Sequence, residues 1–294
     1  MLATNQSRVP KSDVSVTMFI AFTLYKSFGS FAVMKYCWLI VLPCFLLLAG
    51  CAIVPETGRS QLLLVSQSEE MQLGLTEFEK LKQSTPISRD AELNAMVQRV
   101  GRRISAVAPL PNAQWEFVVF DDPKTANAFC LPGGKVGVYA GIMPIARDEA
   151  GLATVIGHEV SHAVARHGGE RMSEALMNQL GGQLLGVALK NYSAQTQNLW
   201  LGIYGVSSQV GWTLPHSRRQ ESEADHLGLI YMARAGYDPR HAVEFWKRFG
   251  EYNQQHGGQG WQFLSTHPVD RVRIAELEKL LPEAMAEYQA HGRR

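Results

Sequence analysis

Apolar side chains recur every three or four residues in two segments at the start of the main body of the chain. The first segment follows Ser68, whose hydroxyl is suited to cap a helix, and its pattern ends near Thr85. The second segment follows Asp90 and keeps its helical spacing as far as Ile104. These patterns predict two amphipathic helices, each with one face against a core.

The pattern changes to short apolar runs between residues 115 and 139. Trp115–Phe120 is typical of a β-strand. Ala126–Leu131 and Lys135–Tyr139 flank the turn residues Pro132-Gly133-Gly134. This arrangement predicts one strand followed by a β-hairpin.

Helical patterns dominate from Asp148 onward and include a last helix over Asp270–Leu281. The helix that starts at Asp148 carries an apolar stripe and can end at Gly168-Gly169. Leu176–Val210 is apolar and interrupted by glycines, a pattern typical of core helices. A lid or substrate-gathering surface beside the site is the alternative. Together the patterns predict an α+β fold that is mostly helical, with a small antiparallel sheet.

The first fifty residues have the character of a targeting segment. From Met34, one basic residue precedes the apolar run Trp38–Leu48, and small residues then lead to Cys51. This is a secretory signal pattern, and its Leu-Ala-Gly-Cys ending resembles the lipobox of bacterial lipoproteins, whose cysteine is acylated after cleavage. The alternative is an uncleaved transmembrane anchor, but the run is shorter than the about 20 apolar residues of a bilayer span.

The targeting segment sets the expected domain boundaries. Residues 1–50 are an upstream segment and a lipoprotein signal peptide, with translation expected to start at Met34 and an extra upstream anchor as the alternative. Residues 51–67 are expected to be a tether, and residues 68–294 are expected to form a single folded domain.

Composition and charge exclude several classes of protein. The chain has 294 residues, of which 46% are apolar, so it is neither a disordered tail, a collagen-like fibre nor a small disulfide-rich protein. Its net charge of +1 gives no reason to expect nucleic-acid binding. If Cys37 and Cys44 leave with the signal and Cys51 is lipidated, Cys130 is the one cysteine left, and the domain has no internal disulfide.

His158, Glu159 and His162 form the motif His-Glu-x-x-His on the helix that starts near Asp148. Residues four apart lie about 40° apart around a helix, so both imidazoles can reach one metal ion. The motif is typical of zinc peptidases, in which the histidines bind Zn²⁺ and the glutamate takes a proton from water at the metal. Two exposed histidines on a helix face are the alternative.

A catalytic zinc takes three protein ligands and keeps one open position. The best candidate for the third ligand is Glu221, because Glu221 and Asp225 are one helical turn apart and share a face. Asp225 could then accept the outer N–H of a ligand histidine. Glu223 is the competing carboxylate, but it points about 200° away around the same helix. A solvated, charged helix is the alternative for this segment.

Several motifs, in this order, resemble those of the HtpX-like and Oma-type zinc metallopeptidases, which are gluzincins that act on misfolded or membrane-associated proteins. The motifs are Asn127-Ala128-Phe129 with Pro132-Gly133-Gly134, His158-Glu159-x-x-His162, Ser217-Arg218-x-x-Glu221-x-x-Ala224-Asp225, and Ser265-Thr266-His267-Pro268. The resemblance covers about residues 68–281, and the lipobox narrows it to periplasmic lipoproteins of the LoiP type.

This resemblance implies a zincin-type metallopeptidase domain with its sheet beside the active-site helix and one Zn²⁺ per chain. In such a domain His158, His162 and Glu221 are the zinc ligands, Glu159 is the general base, and Asp225 supports the ligands.

Three roles stay open for His267, which precedes a proline ahead of the last helix. It could be a fourth zinc ligand that blocks the open position, an electrophile that stabilises the developing oxyanion, or a structural hydrogen-bonding residue. We expect His167 and His226 to point away from the metal, because each is five residues from a ligand and therefore about 140° around its helix. The histidines expected at the surface by default are His216, His241, His256 and His291.

The sequence thus predicts a zinc-dependent metalloendopeptidase. An extended substrate is expected to pair with the second hairpin strand as a sheet edge, through Lys135, Val136, Gly137, Val138 and Tyr139. A zinc-binding chaperone or assembly factor for outer-membrane proteins with little proteolysis is the alternative, although Glu159 argues against it because a purely structural site needs no base. An inert lipoprotein scaffold would leave the whole motif unexplained.

The expected lipid anchor on Cys51 determines the expected location and partners. Ala52 rather than aspartate follows the cysteine, so the sorting rules for lipoproteins place the protein at the periplasmic face of the outer membrane of a Gram-negative bacterium. The expected partners are this membrane, unfolded or misfolded envelope proteins as substrates, and the outer-membrane assembly machinery, without nucleic acid.

Overall fold

The computed structural model of the chain describes residues 51–183, 217–256, 267 and 271–291. In this part of the chain the strands are β1 (Cys51–Ile53), β2 (Ser60–Leu62), β3 (Glu116–Phe120), β4 (Ala128–Leu131) and β5 (Lys135–Tyr139). The α-helices of the described ranges are α1 (Gln67–Ser84), α2 (Ala91–Ser105), α3 (Met143–Ala146), α4 (Glu149–Val164), α5 (His167–Gln183), α6 (Arg218–Arg234), α7 (Arg240–His256) and α8 (Arg271–His291). The mostly helical α+β fold is confirmed.

Side-chain caps set the starts of the first two helices. Ser66, rather than the expected Ser68, caps α1. Its hydroxyl accepts from the backbone N–H of Glu69, and the Glu69 carboxylate accepts from the backbone N–H of Ser66, so the two residues form a capping box. The helix ends at Ser84, with Thr85 as its C-cap, close to the expected end near Thr85. Asp90 caps α2 as expected, since its carboxylate accepts two backbone N–H groups of the first turn.

The main sheet has the strand order β3-β5-β4 and is mixed rather than purely antiparallel. β5 pairs antiparallel with β4, which confirms the hairpin, and parallel with β3. The expectation that Lys135–Tyr139 forms a sheet edge is therefore wrong, because this strand is central and both of its edges are paired. All five of its residues are buried, as is typical of a strand covered on both faces.

Helix α4 forms the centre of the core. Every residue from Gly151 to Val164 is buried, because α4 packs against α2, α6, α7 and β4. A helix enclosed on all sides needs apolar residues around its whole circumference, and the buried polar side chains on α4 therefore require partners within the protein.

α4 ends earlier than its glycines predict. It ends at Val164, and Arg166 then adopts a left-handed conformation with φ of 55° that turns the chain into α5. Gly168 and Gly169 lie inside α5 rather than at a helix end. A Cβ on Gly169 would lie 2.1 Å from a carboxylate oxygen of Glu70, so this glycine allows close packing of two segments.

Residues 51–62 form a packed hairpin rather than the expected tether. β1 and β2 pair antiparallel, with Cys51 opposite Leu62. Val54 is fully buried in the core, and Arg59 pairs with buried Glu170. Val54 and Arg59 therefore anchor the hairpin to the body of the domain.

The last helix is longer than expected, since α8 continues through Pro282 to His291. The segment beyond the proline is held against α6 by Ala284, which is fully buried, and by the ion pair between Glu287 and Arg234. These contacts compensate for the backbone hydrogen bond that the proline cannot make.

Most of Leu176–Val210, expected to form core helices or a lid, lies outside the described residues. Cys130 is a free, buried thiol. Among the described helices, none has both the length and the apolar character that crossing a bilayer requires.

Candidate metal centre

Helix α4 presents His158 and His162 on one face. The Nε2 atoms of the two imidazoles are 3.1 Å apart, and both side chains are buried. Glu159 lies beside them and is also buried. The one-turn spacing therefore brings the two rings together as expected.

Helix α6 contributes the two carboxylates that share a face. Oε1 of Glu221 lies 3.3 Å from Nε2 of His162, and Oε2 lies 3.5 Å from Nε2 of His158. Oδ1 of Asp225 lies 3.0 Å from Nδ1, the outer nitrogen of His158. Glu223 does not join this group and instead contacts His167.

His267 completes the cluster. Its Nδ1 lies 3.2 Å from Nε2 of His158 and 2.9 Å from Oε1 of Glu221. Its Nε2 lies 3.4 Å from Oε1 of Glu159. His267 therefore lies within the centre, although its position does not by itself choose among its three roles.

The four side chains His158, His162, Glu221 and His267 fit a metal ion. Each offers one ligand atom, and these atoms all lie within 4.8 Å of one another. A tetrahedral zinc with bonds of about 2.1 Å separates its ligand atoms by about 3.4 Å. The Nε2 atoms of His158 and His162 are 3.1 Å apart and lie 3.5 and 3.3 Å from the carboxylate oxygens of Glu221, which is close to that spacing.

Glu159 is available as a proton acceptor. Its Oε1 is buried and accepts no hydrogen bond from the described residues. Burial raises the pKa of this carboxyl above its ordinary value, while the neighbouring His267 and His158 act in the opposite direction. A raised pKa suits a group that must take up a proton and release it again near neutral pH.

The pKa shifts of His162 and Glu221 favour the protonation states that bind a metal. Burial lowers the pKa of His162 well below its usual range, so this imidazole is neutral at neutral pH. Burial disfavours the charged form of Glu221 as well, but His267 and Arg273 outweigh it and hold the pKa of Glu221 well below its usual range. A neutral imidazole and an ionised carboxylate are the forms that bind a metal.

Arg273 is a buried residue that the sequence analysis missed. Its guanidinium donates to both oxygens of Asp225, at 2.8 Å each, and Nη1 lies 2.9 Å from Oε2 of Glu221. It also lies over the ring of Trp246, with Cζ at 3.6 Å from the ring centroid. Arginine side chains are mostly exposed in folded proteins, so nothing in the sequence identified this one as buried.

His167 is the second residue whose position differs from expectation. The prediction counted it along the same helix as His162, but α4 ends at Val164 and the turn at Arg166 intervenes. Nδ1 of His167 therefore lies 2.8 Å from Nδ1 of His162. His226 does lie outside the cluster, where it contacts Glu283.

Comparisons with known proteins point to one family. A sequence profile described as Peptidase family M48 matches residues 91–281. Mitochondrial metalloendopeptidase OMA1 of Schizosaccharomyces pombe is 40% identical over 195 residues, which is 66% of this chain and 54% of that protein. Mitochondrial metalloendopeptidase OMA1 of Saccharomyces cerevisiae is 30% identical over 268 residues, covering 83% of this chain and 75% of the relative.

A bacterial protein is similar as well. The Beta-barrel assembly-enhancing protease of Escherichia coli O157:H7 is 26% identical over 234 residues, which is 76% of this chain and 46% of that relative. The matched part thus spans about half the length of the Schizosaccharomyces pombe and Escherichia coli relatives.

Proposed function

Because this chain belongs to peptidase family M48, a family of metallopeptidases, we propose that it is a zinc metalloendopeptidase that hydrolyses peptide bonds in unfolded or misfolded proteins of the bacterial cell envelope. The resemblance to Oma-type metallopeptidases that the sequence motifs indicate is confirmed by the relatives. One observation carries the proposal. Four side chains offer ligand atoms within 4.8 Å of one another, and the buried carboxyl of Glu159 lies next to this group, with its Oε1 3.4 Å from Nε2 of His267.

In this proposal His158, His162 and Glu221 hold one Zn²⁺, and Asp225 orients His158. When bound, zinc supplies the Lewis acidity that acidifies water and polarises the scissile carbonyl. Glu159 accepts the proton of the attacking water at its carboxylate and then delivers it to the leaving amine. Burial raises its pKa, which favours this return of the proton.

The substrate-binding edge belongs to β4 rather than to β5. Among the described strands, β4 is an outer strand of the sheet, and it packs against α4. The backbone N–H of Tyr139 donates to the carbonyl of Asn127, so the main-chain groups of Asn127 face β5. In an antiparallel pair, successive residues face the partner strand and face away from it in turn. The N–H and C=O groups of Cys130, three positions along, therefore point away from β5. An extended peptide that pairs with β4 would be read through its main chain, which suits a protease of unfolded segments.

The proposed location rests on the targeting segment. The signal pattern and the lipobox that ends at Cys51 support a lipid anchor on this residue at the periplasmic face of the outer membrane. A bacterial relative is named for beta-barrel assembly, which supports the outer-membrane assembly machinery as a partner. Mass spectrometry of the N-terminal peptide tests the anchor: an acylated Cys51 is expected, and an unmodified chain that begins upstream would contradict it.

A purified protein tests the proposed activity directly. Zinc content and casein cleavage are measured for the unaltered chain and for Glu159→Gln, a variant of nearly the same shape. We expect one zinc per chain in both and a loss of about 10²–10⁴-fold in cleavage for the variant, the usual contribution of a general base. Equal cleavage by both proteins would overturn the mechanism, and absence of zinc would overturn the site.

A second candidate function is favoured by His267. Four protein ligands without an open position are typical of structural zinc sites, and His267 places a fourth ligand atom in the cluster. A zinc-binding chaperone or assembly factor for outer-membrane proteins would keep that arrangement. Full zinc occupancy without casein cleavage in the unaltered chain would favour it over the protease.

A further inference from the structure

A chain of hydrogen-bonding groups leads outward from His162 on the side away from the metal cluster. Nδ1 of His162 lies 2.8 Å from Nδ1 of His167. Nε2 of His167 lies 2.8 Å from Oε2 of Glu223. His167 is fully buried and Glu223 is 7% exposed, so these contacts are shielded from water.

The acceptor at the end of this chain fixes the position of every proton in it. A carboxylate can only accept, so Nε2 of His167 carries hydrogen and donates to Glu223. In a neutral His167 the other nitrogen, Nδ1, is then bare and accepts the Nδ1–H of His162. This leaves Nε2 of His162 without hydrogen, and Nε2 is the atom that faces His158 and Glu221.

The outer end of the chain is held by the N-terminal hairpin. Nε of Arg59 donates to Oε2 of Glu223 at 2.6 Å, and the hydroxyl of Thr57 donates to Oε1 of the same carboxylate. Arg59 also donates to Glu170 at 2.7 Å. Residues 51–62, which begin at the predicted lipidation site, are therefore linked to the metal centre through Glu223.

The arrangement around His162 matches that around His158. Nδ1 of His158 contacts Asp225, whose carboxylate accepts from the buried guanidinium of Arg273. His162 reaches its own carboxylate, Glu223, through one additional imidazole, and that carboxylate also accepts from an arginine. Outer partners of this kind orient a ligand histidine and fix its tautomer.

We propose that His167, Glu223 and Arg59 are positioning residues that hold His162 in the orientation and tautomer that bind zinc. The inference rests on the zinc site under "Proposed function". It assigns to the hairpin at residues 51–62 a part in forming the metal centre, in addition to its packing.

Zinc affinity of the full chain, purified in detergent, tests the inference by competition with a chelator. His167→Phe keeps the volume and burial of the ring but removes both nitrogens, and Glu223→Gln removes the charge that accepts from His167. Each is expected to weaken zinc binding by about 10–100-fold, as loss of an outer partner usually does. Arg59→Gln is expected to give a smaller loss, because Thr57 still donates to Glu223.

The matched control is Arg219→Gln. Arg219 contacts the same oxygen of Glu170 as Arg59 does, at 3.0 Å, but its side chain is 60% exposed and it makes no ion pair with Glu223. This variant is expected to bind zinc as tightly as the unaltered chain. A loss as large as that of Arg59→Gln would show that the Glu170 network, not Glu223, is responsible.

A spectroscopic measurement separates positioning from stability. In the Co²⁺-substituted protein, the visible absorption reports the ligand geometry, and we expect it to change in His167→Phe and Glu223→Gln. Unaltered zinc affinity and Co²⁺ spectra in folded Glu223→Gln would overturn the inference while the zinc site stands. Failure of the unaltered chain to bind zinc would instead overturn the proposed function.

Discussion

Gly157 faces Gly228 where α4 and α6 pack against each other. A Cβ on Gly157 would lie 3.1 Å from the carbonyl oxygen of Gly228, and a Cβ on Gly228 would lie 3.1 Å from the backbone nitrogen of His158. The two glycines therefore set the distance between the helix that carries the His-Glu-x-x-His motif and the helix that carries Glu221.

A large side chain at this contact is expected to disrupt the metal centre. Gly228→Leu forces α6 away from α4, so Glu221 moves away from the two histidines. The free energy of unfolding is expected to fall by about 1–3 kcal/mol, as in overpacked cores, and zinc affinity is expected to fall with it. Urea unfolding and chelator competition measure the two effects.

Ser222→Leu is the control for this prediction, because Ser222 lies on the same helix but is only partly buried. It is expected to change neither quantity appreciably. Zinc binding by Gly228→Leu at the unaltered affinity would show that the close approach of the two helices does not set the ligand geometry.

Arg273 is expected to stabilise the metal-free protein strongly. It is a buried cation that contacts both Glu221 and Asp225, so Arg273→Met removes its positive charge from two buried carboxylates. Removal of one partner from a buried ion pair costs about 3–5 kcal/mol. Urea unfolding of the zinc-free chain measures this loss.

The neighbouring Arg271→Met is the comparison variant, since Arg271 is exposed on the same helix. Its free energy of unfolding is expected to stay near that of the unaltered chain. If Arg273→Met lost no more stability than Arg271→Met, the charge balance assigned to the cluster would be wrong.

Sequence alone predicts the parts of the site that depend on short spacing. His158 and His162 share a face because one helical turn separates them, and the same holds for Glu221 and Asp225. The same local logic finds the Asp90 cap and the hairpin, since each depends on residues within a few positions of one another.

The remaining features depend on contacts between distant segments. Nothing near Lys135–Tyr139 reveals that Trp115–Phe120 will pair with its other side, so its central position could not be predicted. Likewise, Arg273 resembles a surface arginine until α8 packs against α6, and His167 resembles a residue on the wrong face until the chain turns at Arg166.

Glu221 and Glu223 are expected to affect zinc binding to different degrees. Glu221 contacts both motif histidines, whereas Glu223 acts only through His167. Glu221→Ala should therefore weaken zinc binding by at least about tenfold more than Glu223→Ala, whose expected loss is that of an outer partner. Chelator competition on both variants decides between the carboxylates, and a larger loss from Glu223→Ala would identify it as the ligand.

Zinc affinity is expected to rise with pH. Burial disfavours the charged imidazolium of His158, but hydrogen bonds to Asp225 and Glu221 outweigh it and raise the pKa to about 9 in the metal-free protein. The interactions that raise this pKa stabilise the fold fully at a pH below 6.5, the ordinary pKa of the group. Their contribution is lost as the pH rises through about 9. Zinc needs the neutral ring, so binding releases the proton.

The apparent zinc affinity should therefore increase by up to about tenfold per pH unit below pH 9 and level off above it. Competition with a chelator of known pH dependence, between pH 6 and 10, measures this slope. An affinity that is flat between pH 7 and 9 would show that His158 is already neutral in the metal-free protein.

One of the three roles of His267 is that of a fourth ligand that blocks the open position, and His267→Ala tests it. Its Nδ1 lies 3.2 Å from Nε2 of His158 and 2.9 Å from Oε1 of Glu221, which is where a fourth ligand atom belongs. In His267→Ala the three other ligands still hold zinc and the fourth position becomes open, as a catalytic site requires. Casein cleavage per bound zinc should therefore rise several-fold.

Each of the other two roles of His267 gives a different result in the same measurement. If the imidazole stabilises the developing oxyanion, His267→Ala keeps its zinc but loses cleavage, by about 10²–10³-fold for one such donor. If its role is structural, the zinc-free protein loses stability and cleavage per bound zinc stays the same. His226→Ala is the matched control, because His226 contacts Glu283 outside the cluster and should leave both zinc content and cleavage unchanged.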